Sequence, residues 1–364
     1  MNTGALPRQE IYKLLTEGRL PGAEAKHIQP ASLDLTLSDE IYRMRGTFLP
    51  RVGERVRELV KYGSVEKIDL KQPLERGVAY LCRLNEALVL PTNIHGSANN
   101  KSSSGRVNLW TRLLVDGAPS FDQVPAGYAG ELWVEIIPKS FPVKLAAGER
   151  LNQLRLSNGD GLLRGDALMQ AHLKDHFLCD DAGRLVVSNH HIERHGITMT
   201  VDLTTTDIVG YRCHPSSGRI LTYGNYEHII EDFFEPIARP KNGELVLRRD
   251  EFYILVTHEG VRVPPGFAVE MAPYDVGKGE FRSHYAGFFD PGFGYGSDGA
   301  TRGTPAVLEV LTHDTDFIIR DGQPICTMLY EVLTSPTDLL YGDATLGSHY
   351  ANQRGPRLSK HFIQ

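Results

Sequence analysis

Six consecutive residues, Lys101-Ser102-Ser103-Ser104-Gly105-Arg106, set two cations and three hydroxyls on one short stretch. Hydroxyls and backbone N–H groups donate to oxygens while the cations offset charge, so a stretch of this composition can surround a triphosphate. Downstream, Gly130-Glu131-Leu132-Trp133-Val134-Glu135 is an apolar strand pattern ending on a carboxylate, the side-chain type that takes up and returns protons. The pair reads as a phosphate grip and an acid/base group. The purely conformational alternatives are a solvated turn for the first and a solvent-facing strand residue for Glu135.

A chain of 364 residues, 41% of them hydrophobic, can build the cores of two domains. Its net charge of −6 excludes the basic surface expected of a nucleic-acid binder, so a polyanionic ligand must be held by a local cluster. Cys82, Cys179, Cys213 and Cys326 are widely spaced and form no CxxC pair, which indicates neither a zinc site nor a disulfide framework and fits a reducing cytoplasm. No apolar run reaches eighteen residues and no signal-peptide core is present, so neither membrane insertion nor export is expected.

The elements that must position these residues are mainly strands. Ile11, Leu14 and Leu15 predict one helix within Ala5 to Leu20, closed by Gly18 and Pro21. Short strands are expected at Ser32–Leu37, Glu40–Met44, Val78–Leu84, Ala87–Leu90, Leu132–Ile137, Val143–Leu145 and Leu151–Leu156, a spacing that indicates a β-sandwich or barrel. A second helix is expected at Asp166–Leu178, inside a connector.

The second half repeats the first. Val134-Glu135-Ile136 has Gly148 thirteen residues after its Glu, and Leu308-Glu309-Val310 has Gly322 thirteen residues after its Glu. Leu90-Pro91 is echoed by Val263-Pro264, and Leu33-Asp34-Leu35 by Val201-Asp202-Leu203. The copies differ where chemistry is expected. In place of the serine stretch the second half has Met271 to Val276, without the hydroxyls and the arginine, while Ala286 to Phe293 is stronger than its first-half counterpart, Gln123 to Tyr128. The expected organisation is a first β domain at 1–160, a connector at 161–195 and a second β domain at 196–364.

Taken together these motifs resemble the dCTP deaminase branch of the dUTPase-like family, in its tandem form. The phosphate motif of that family, Arg-Ser-Ser-x-x-Arg, is matched by Lys101 to Arg106, and its Ala-x-x-x-Asp-Pro-Gly hairpin by Ala286 to Gly292, with Leu308-Glu309 following. The family tail is matched by Tyr341, His349, Tyr350, Gln353, Gly355 and Ser359, and its opening strand by Ile28 to Leu35. Lys replaces the leading Arg at 101, His349 replaces a tail Lys, and an insertion lies between Gly294 and Pro305.

The resemblance implies a mainly β fold of two tandem dUTPase-like barrel or jelly-roll domains, and hydrolytic deamination of dCTP to dUTP. It implies that Glu309, or Glu135 as its repeat equivalent, shuttles protons; a buried carboxylate can do so when its pKa is tuned toward neutrality. Lys101, Ser102 and Ser103 are expected on phosphate, and Arg106 either there or as electrostatic partner near the base. Ala286 and Asp290 are expected at the base and deoxyribose, and Tyr341, His349 and Gln353 as tail contacts. Magnesium is expected with the nucleotide phosphates, held mainly by nucleotide oxygens and water. The resemblance further implies a homo-oligomer, such as a trimer, and suggests a composite site that pairs the first-half serine motif with the second-half hairpin. A zinc route needs His-x-Glu with Pro-Cys-x-x-Cys; His191-Ile192-Glu193 supplies only the first part, so no zinc is expected and His190 to His195 reads as polar connector. Two rival readings stay open, dUTP pyrophosphatase activity, alone or after deamination, and a non-catalytic nucleotide-binding regulator.

Overall fold

A computed structural model describes residues 2–180, 182–186, 192–193, 196–214, 218–272, 281–283, 287–296, 299, 302–312, 315–346, 350–351 and 353–363. The chain divides into two units, one of Met1–Asp160, Pro215–Ile229 and Ser359–Ile363, the other of Gly161–His214 and Ile230–Leu358 with the last residue. The stretch expected as a connector, 161–195, therefore groups with the second unit, and the last residues of the tail group with the first.

The first unit has two antiparallel sheets. One runs in the order Ser64–Ile68, Leu37–Met44, Tyr80–Val89, Ala129–Pro138, Leu109–Val115. The other runs Gly4–Ala5, Asn152–Asn158, Ile94–Asn100, Gln123–Val124, with Leu33–Leu35 also on Asn152–Asn158. Tyr80–Val89 alternates buried and less buried positions toward its end, the pattern of a strand with one wet face. Ala129–Pro138 is buried from Leu132 onward, as its apolar run requires of a strand covered on both faces. Trp133 packs at its centre with Met44, Val56, Val60 and Leu114.

The second unit repeats this plan. Its larger sheet runs Phe234–Ala238, Ile208–Cys213, Phe252–Val261, Thr304–Thr312, Phe281–Ser283, and its other sheet runs Ile192–Glu193, Gly196–Thr200, Pro324–Val332, Phe267–Ala272, Phe288–Phe289. Registers agree in detail: Glu135 faces Leu81 as Glu309 faces Ile254. A buried glutamate also clamps each copy. Glu86 accepts from Thr36 N–H at 2.9 Å and Thr36 Oγ1 at 2.7 Å, and Glu259 accepts from Thr200 N–H at 2.9 Å and Thr200 Oγ1 at 2.6 Å.

These registers correct two sequence alignments of the repeat. Leu35 pairs with Asn152 as Met199 pairs with Cys326, so Leu33-Asp34-Leu35 corresponds to Ile197-Thr198-Met199, four residues before the echo at Val201-Asp202-Leu203. Ala98 faces Leu154 as Met271 faces Met328, so Met271 corresponds to Ala98 rather than to Lys101, and the rest of the stretch from 273 to 276 lies outside the described residues. Short alternating apolar motifs match equally well at several even offsets, and only the ladder hydrogen bonds choose among them.

The predicted first helix is shorter, Arg8–Thr16, because Ala5 is already in a strand and Pro7 sits just before the first turn. The second is Gly165–Asp175, ended by His176 in the left-handed region. The two strands expected at Val78–Leu84 and Ala87–Leu90 are one strand, Tyr80–Val89. The helix Val56–Gly63 and the strands Ile94–Asn100 and Leu109–Val115 were not legible as such.

Candidate active site

In the first unit the serine stretch leaves the end of one strand at Asn100 and re-enters another at Leu109. Asn100 ties the two ends: its Nδ2 donates to Leu109 O at 3.0 Å and its Oδ1 accepts from Thr111 N–H at 3.0 Å. Lys101 N–H donates to Leu151 O at 3.0 Å, and Asn108 closes the loop in the left-handed region that asparagine tolerates. Lys101 and Ser102 are half-buried, whereas Ser103, Ser104 and Arg106 are buried.

Charge gathers beside this loop. Asp34, buried on the opening strand, is ion-paired with Lys101, and Arg150 Nη1 lies 3.5 Å from its other oxygen. Lys360 also lies within electrostatic reach of Lys101, Arg150, Asp34 and Glu149. Burial, followed by the neighbouring Lys101 and Arg150 cations, brings the Lys360 ammonium down to about 8. Burial raises the Glu149 carboxyl to about 7 against the opposing pull of the Ala146 N–H and Lys360. Three cations against two carboxyl groups, Asp34 and Glu149, together with the serine loop thus form a patch with a positive excess suited to a polyphosphate.

Arg150 and Lys360 were missed from sequence, and Asp34 was read only as part of a strand. The repeat carries the missing signal once its register is known. Asp34 and Arg150 correspond to Thr198 and Pro324, so the second half lacks both charges.

Glu135 is buried in the first unit and ion-paired with Arg112, whose Nε donates at 2.9 Å and whose guanidinium lies over the Phe121 ring at 3.9 Å. Burial raises its pKa, opposed by the Arg112 charge and hydrogen bond. Arg112 thus fixes the position of the Glu135 carboxylate.

Glu309 is the sole ionisable residue of Thr304–Thr312, a strand whose nine residues are all buried, and it faces Ile254 where Glu135 faces Leu81. A carboxylate in an otherwise apolar, fully buried strand is costly to retain for packing alone, and such positions concentrate at functional sites.

The hairpin and tail meet in the second unit. Asp290 is buried at the turn after Phe288–Phe289, where Phe293 N–H donates to Asp290 O at 3.1 Å. Tyr341 N–H donates to Pro291 O at 2.7 Å, and the Phe293 and Tyr341 rings lie 5.8 Å apart. Gln353 Nε2 donates to Pro305 O at 2.9 Å, and Thr304 Oγ1 donates to Ala351 O at 2.9 Å, which fastens the tail to the start of the strand that carries Glu309. Ala286 and His349 lie outside the described residues, as do His190, His191 and His195 of the connector.

Gly292 permits the hairpin–tail contact. Its φ is +102°, and an added Cβ would lie 2.6 Å from Tyr341 N. Gly292→Ala is therefore expected to force the hairpin and the Tyr341 segment apart and to lower stability by about 1–3 kcal/mol, read as a fall in thermal midpoint.

Among the described residues one group has metal-ligand spacing: Asp202, His258 and Asp321, with ligand atoms within 4.8 Å of one another. Asp202 Oδ1 accepts the Thr204 and Thr205 N–H groups at 3.0 and 2.9 Å, and Asp321 Oδ1 accepts Leu203 N–H at 2.8 Å and His258 Nε2 at 2.9 Å. The group is a clamp on the turn after Gly196–Thr200. The four cysteines are all buried thiols, and among the described residues no helix is long and apolar enough to cross a membrane.

Comparison with known proteins gives the family. The model of the 2'-deoxycytidine 5'-triphosphate deaminase N-terminal domain matches residues 2–160, and that of the C-terminal domain matches residues 170–362. The crystal structure of 2'-deoxycytidine 5'-triphosphate deaminase from Agrobacterium tumefaciens is similar over 93% of this chain and 100% of that one, with a TM-score of 0.83 and 37% identity. The "dCTP deaminase, dUMP-forming" of Methanosphaera stadtmanae is 25% identical over 183 residues, 50% of this chain and 87% of that protein. The protein of the same description from Mycolicibacterium vanbaalenii is 30% identical over 151 residues, 40% of this chain and 75% of its own length. The fold is mainly β and dUTPase-like, as the sequence resemblance implied. The chain belongs to the dCTP deaminase family and is a deaminase enzyme.

Proposed function

We propose that the chain hydrolyses the exocyclic amine of MgdCTP, releasing ammonia and leaving a uracil nucleotide. The observation that carries this reading is the convergence of Lys101, Arg150 and Lys360 beside the serine loop, a charge pattern that fits a triphosphate. Water adds to C4 of the cytosine, its proton passes to a carboxylate, and protons are returned to N3 and to the departing amine. Glu309 is assigned as that proton carrier because its strand is buried throughout and holds no other ionisable group. Glu135 is assigned a structural role because Arg112 holds it. Asp290 is assigned to the deoxyribose, Ser102 and Ser103 to phosphate, and Tyr341, His349 and Gln353 to closure of the site. Magnesium enters with the substrate phosphates. The enzyme is proposed as a cytoplasmic homo-oligomer, which sedimentation of the purified protein tests.

The fate of the triphosphate admits a second reading. Retention gives dUTP; loss of pyrophosphate gives dUMP, and the names of the Methanosphaera and Mycolicibacterium relatives favour that outcome. Incubation with MgdCTP, following ammonia and separating the nucleotides, decides. Ammonia with dUTP supports the first product, ammonia with dUMP the second, and dCTP bound without ammonia defeats the enzymatic reading.

Lys101→Ala removes one of the cations beside the loop. We expect KM for MgdCTP to rise about 10- to 100-fold, the worth of one charge-assisted hydrogen bond, with kcat changed less than about threefold. Steady-state kinetics check this; a fall in kcat at constant KM contradicts the phosphate assignment.

A further inference from the structure

The serine loop is covered by two segments distant in sequence, Leu221–His228 and Ser359–Ile363, both part of the first unit. Val143–Lys144 pairs in parallel with Leu221–Thr222, which brings Tyr223 to the loop. The Tyr223 hydroxyl lies 3.0 Å from both Ser103 Oγ and Ser104 Oγ and 3.4 Å from Arg150 O. Ser359 Oγ donates to Ser103 O at 2.9 Å. The wholly buried His361 ring packs 4.2 Å from the Tyr223 ring, and Tyr226 stacks on His361 at 5.7 Å and 7°. The chain itself is strapped down here, since His228 N–H donates to His361 O at 3.1 Å and Ile363 N–H to His228 O at 3.0 Å.

Counting hydroxyl protons gives this arrangement a direction. Ser104 has one proton, and it goes to Leu151 O at 3.0 Å. The Tyr223 proton then goes to Ser104 at 3.0 Å, with Arg150 O as a second acceptor at 3.4 Å, and in either case it is committed away from Ser103. At the Ser103–Tyr223 contact the serine must then donate. The chain runs Ser103 to Tyr223 to Ser104 to Leu151 O, and the Ser103 proton is spent on a protein acceptor.

We propose that Tyr223, braced by the C-terminal His361, competes with the substrate phosphate for the Ser103 hydroxyl and so sets phosphate affinity. For Ser103 to donate to a phosphate oxygen it must give up Tyr223 as acceptor, and Tyr223 must then either move off or turn its own proton onto Ser103 at the cost of its contact with Ser104. The braced ring resists the first and the Ser104 contact resists the second. The proposal rests on the reading of Ser103 as a phosphate ligand, and adds to it a residue whose removal strengthens binding.

The test is a double-mutant cycle on binding of MgdCTP, with deoxycytidine as the ligand that lacks phosphates. Tyr223→Phe keeps the ring against His361 and removes the acceptor. The expected result is about three- to tenfold tighter MgdCTP binding, the worth of one released hydrogen bond, with deoxycytidine binding unchanged. Ser103→Ala is expected to weaken MgdCTP binding and to abolish the gain from Tyr223→Phe. A merely structural role for Tyr223 would shift both ligands together and persist in the Ser103→Ala background. Unchanged or weaker MgdCTP binding by Tyr223→Phe, with Ser103→Ala still weakened, overturns the competition and leaves the phosphate reading standing. Ser103→Ala binding MgdCTP as tightly as the parent overturns both.

Discussion

Glu309→Gln is expected to lower kcat for ammonia release by about 10²- to 10⁴-fold while changing the dissociation constant for MgdCTP by only a few-fold. The glutamine is nearly isosteric, so the strand Thr304–Thr312 keeps its packing, but the amide can neither accept the proton of the attacking water nor return it to N3. The size of the effect follows from what one positioned acid/base group contributes. The separation of kcat from binding follows from the proposed division of roles, in which Lys101, Arg150 and Lys360 carry the phosphates and Glu309 only the proton. Steady-state turnover together with equilibrium binding checks it. Binding lost in step with turnover would mean that Glu309 supports the fold of its own sheet rather than the reaction.

The second large effect falls on stability. Arg112→Ala leaves Glu135 buried without its guanidinium partner, and breaking a buried pair from one side costs about 3–5 kcal/mol. The loss depends on pH in a definite direction. Burial already raises the Glu135 pKa in the folded chain, and Arg112 opposes that rise. Without Arg112 the folded pKa climbs further above its unfolded value, so between the two values the folded state holds more protons than the unfolded state, and stability falls as pH rises through that window. The variant should therefore lie closer to the parent at pH 5 than at pH 8, as denaturant midpoints would show. A deficit equal at both values would assign the loss to the packing of Arg112 over Phe121 instead.

The fold was legible because two strong signals coincide. Apolar runs punctuated by Gly, Pro and Asn mark strands, and the Glu-to-Gly spacing recurs in both halves, which is hard to obtain from unrelated β domains. Glu309 was singled out by the family resemblance and by the Glu-to-Gly repeat, and the fold adds that its whole strand is buried. The surroundings of the serine loop were not legible. Asp34, Arg150, Tyr223 and Lys360 come from four distant parts of the chain and share no local pattern; a parallel pairing of two residues and a five-residue tail segment bring the last two there. The strand Ile94–Asn100 escaped because its sequence, Ile-His-Gly-Ser-Ala-Asn-Asn, is poor in strand-forming residues, and pairing along Asn152–Asn158 overrides that weakness. The pairing of Glu135 with Arg112 was equally out of reach, because it is defined only by cross-strand register.

The measurement that bears most directly on the central claim is ammonia release from MgdCTP under single-turnover conditions, with Glu309→Gln and Glu135→Gln side by side. The account predicts that Glu135→Gln releases ammonia at a rate within about tenfold of the parent while Glu309→Gln falls by about 10² or more. Full ammonia release by Glu309→Gln, with loss of turnover in a folded Glu135→Gln, would contradict it and move the proton carrier to the first unit.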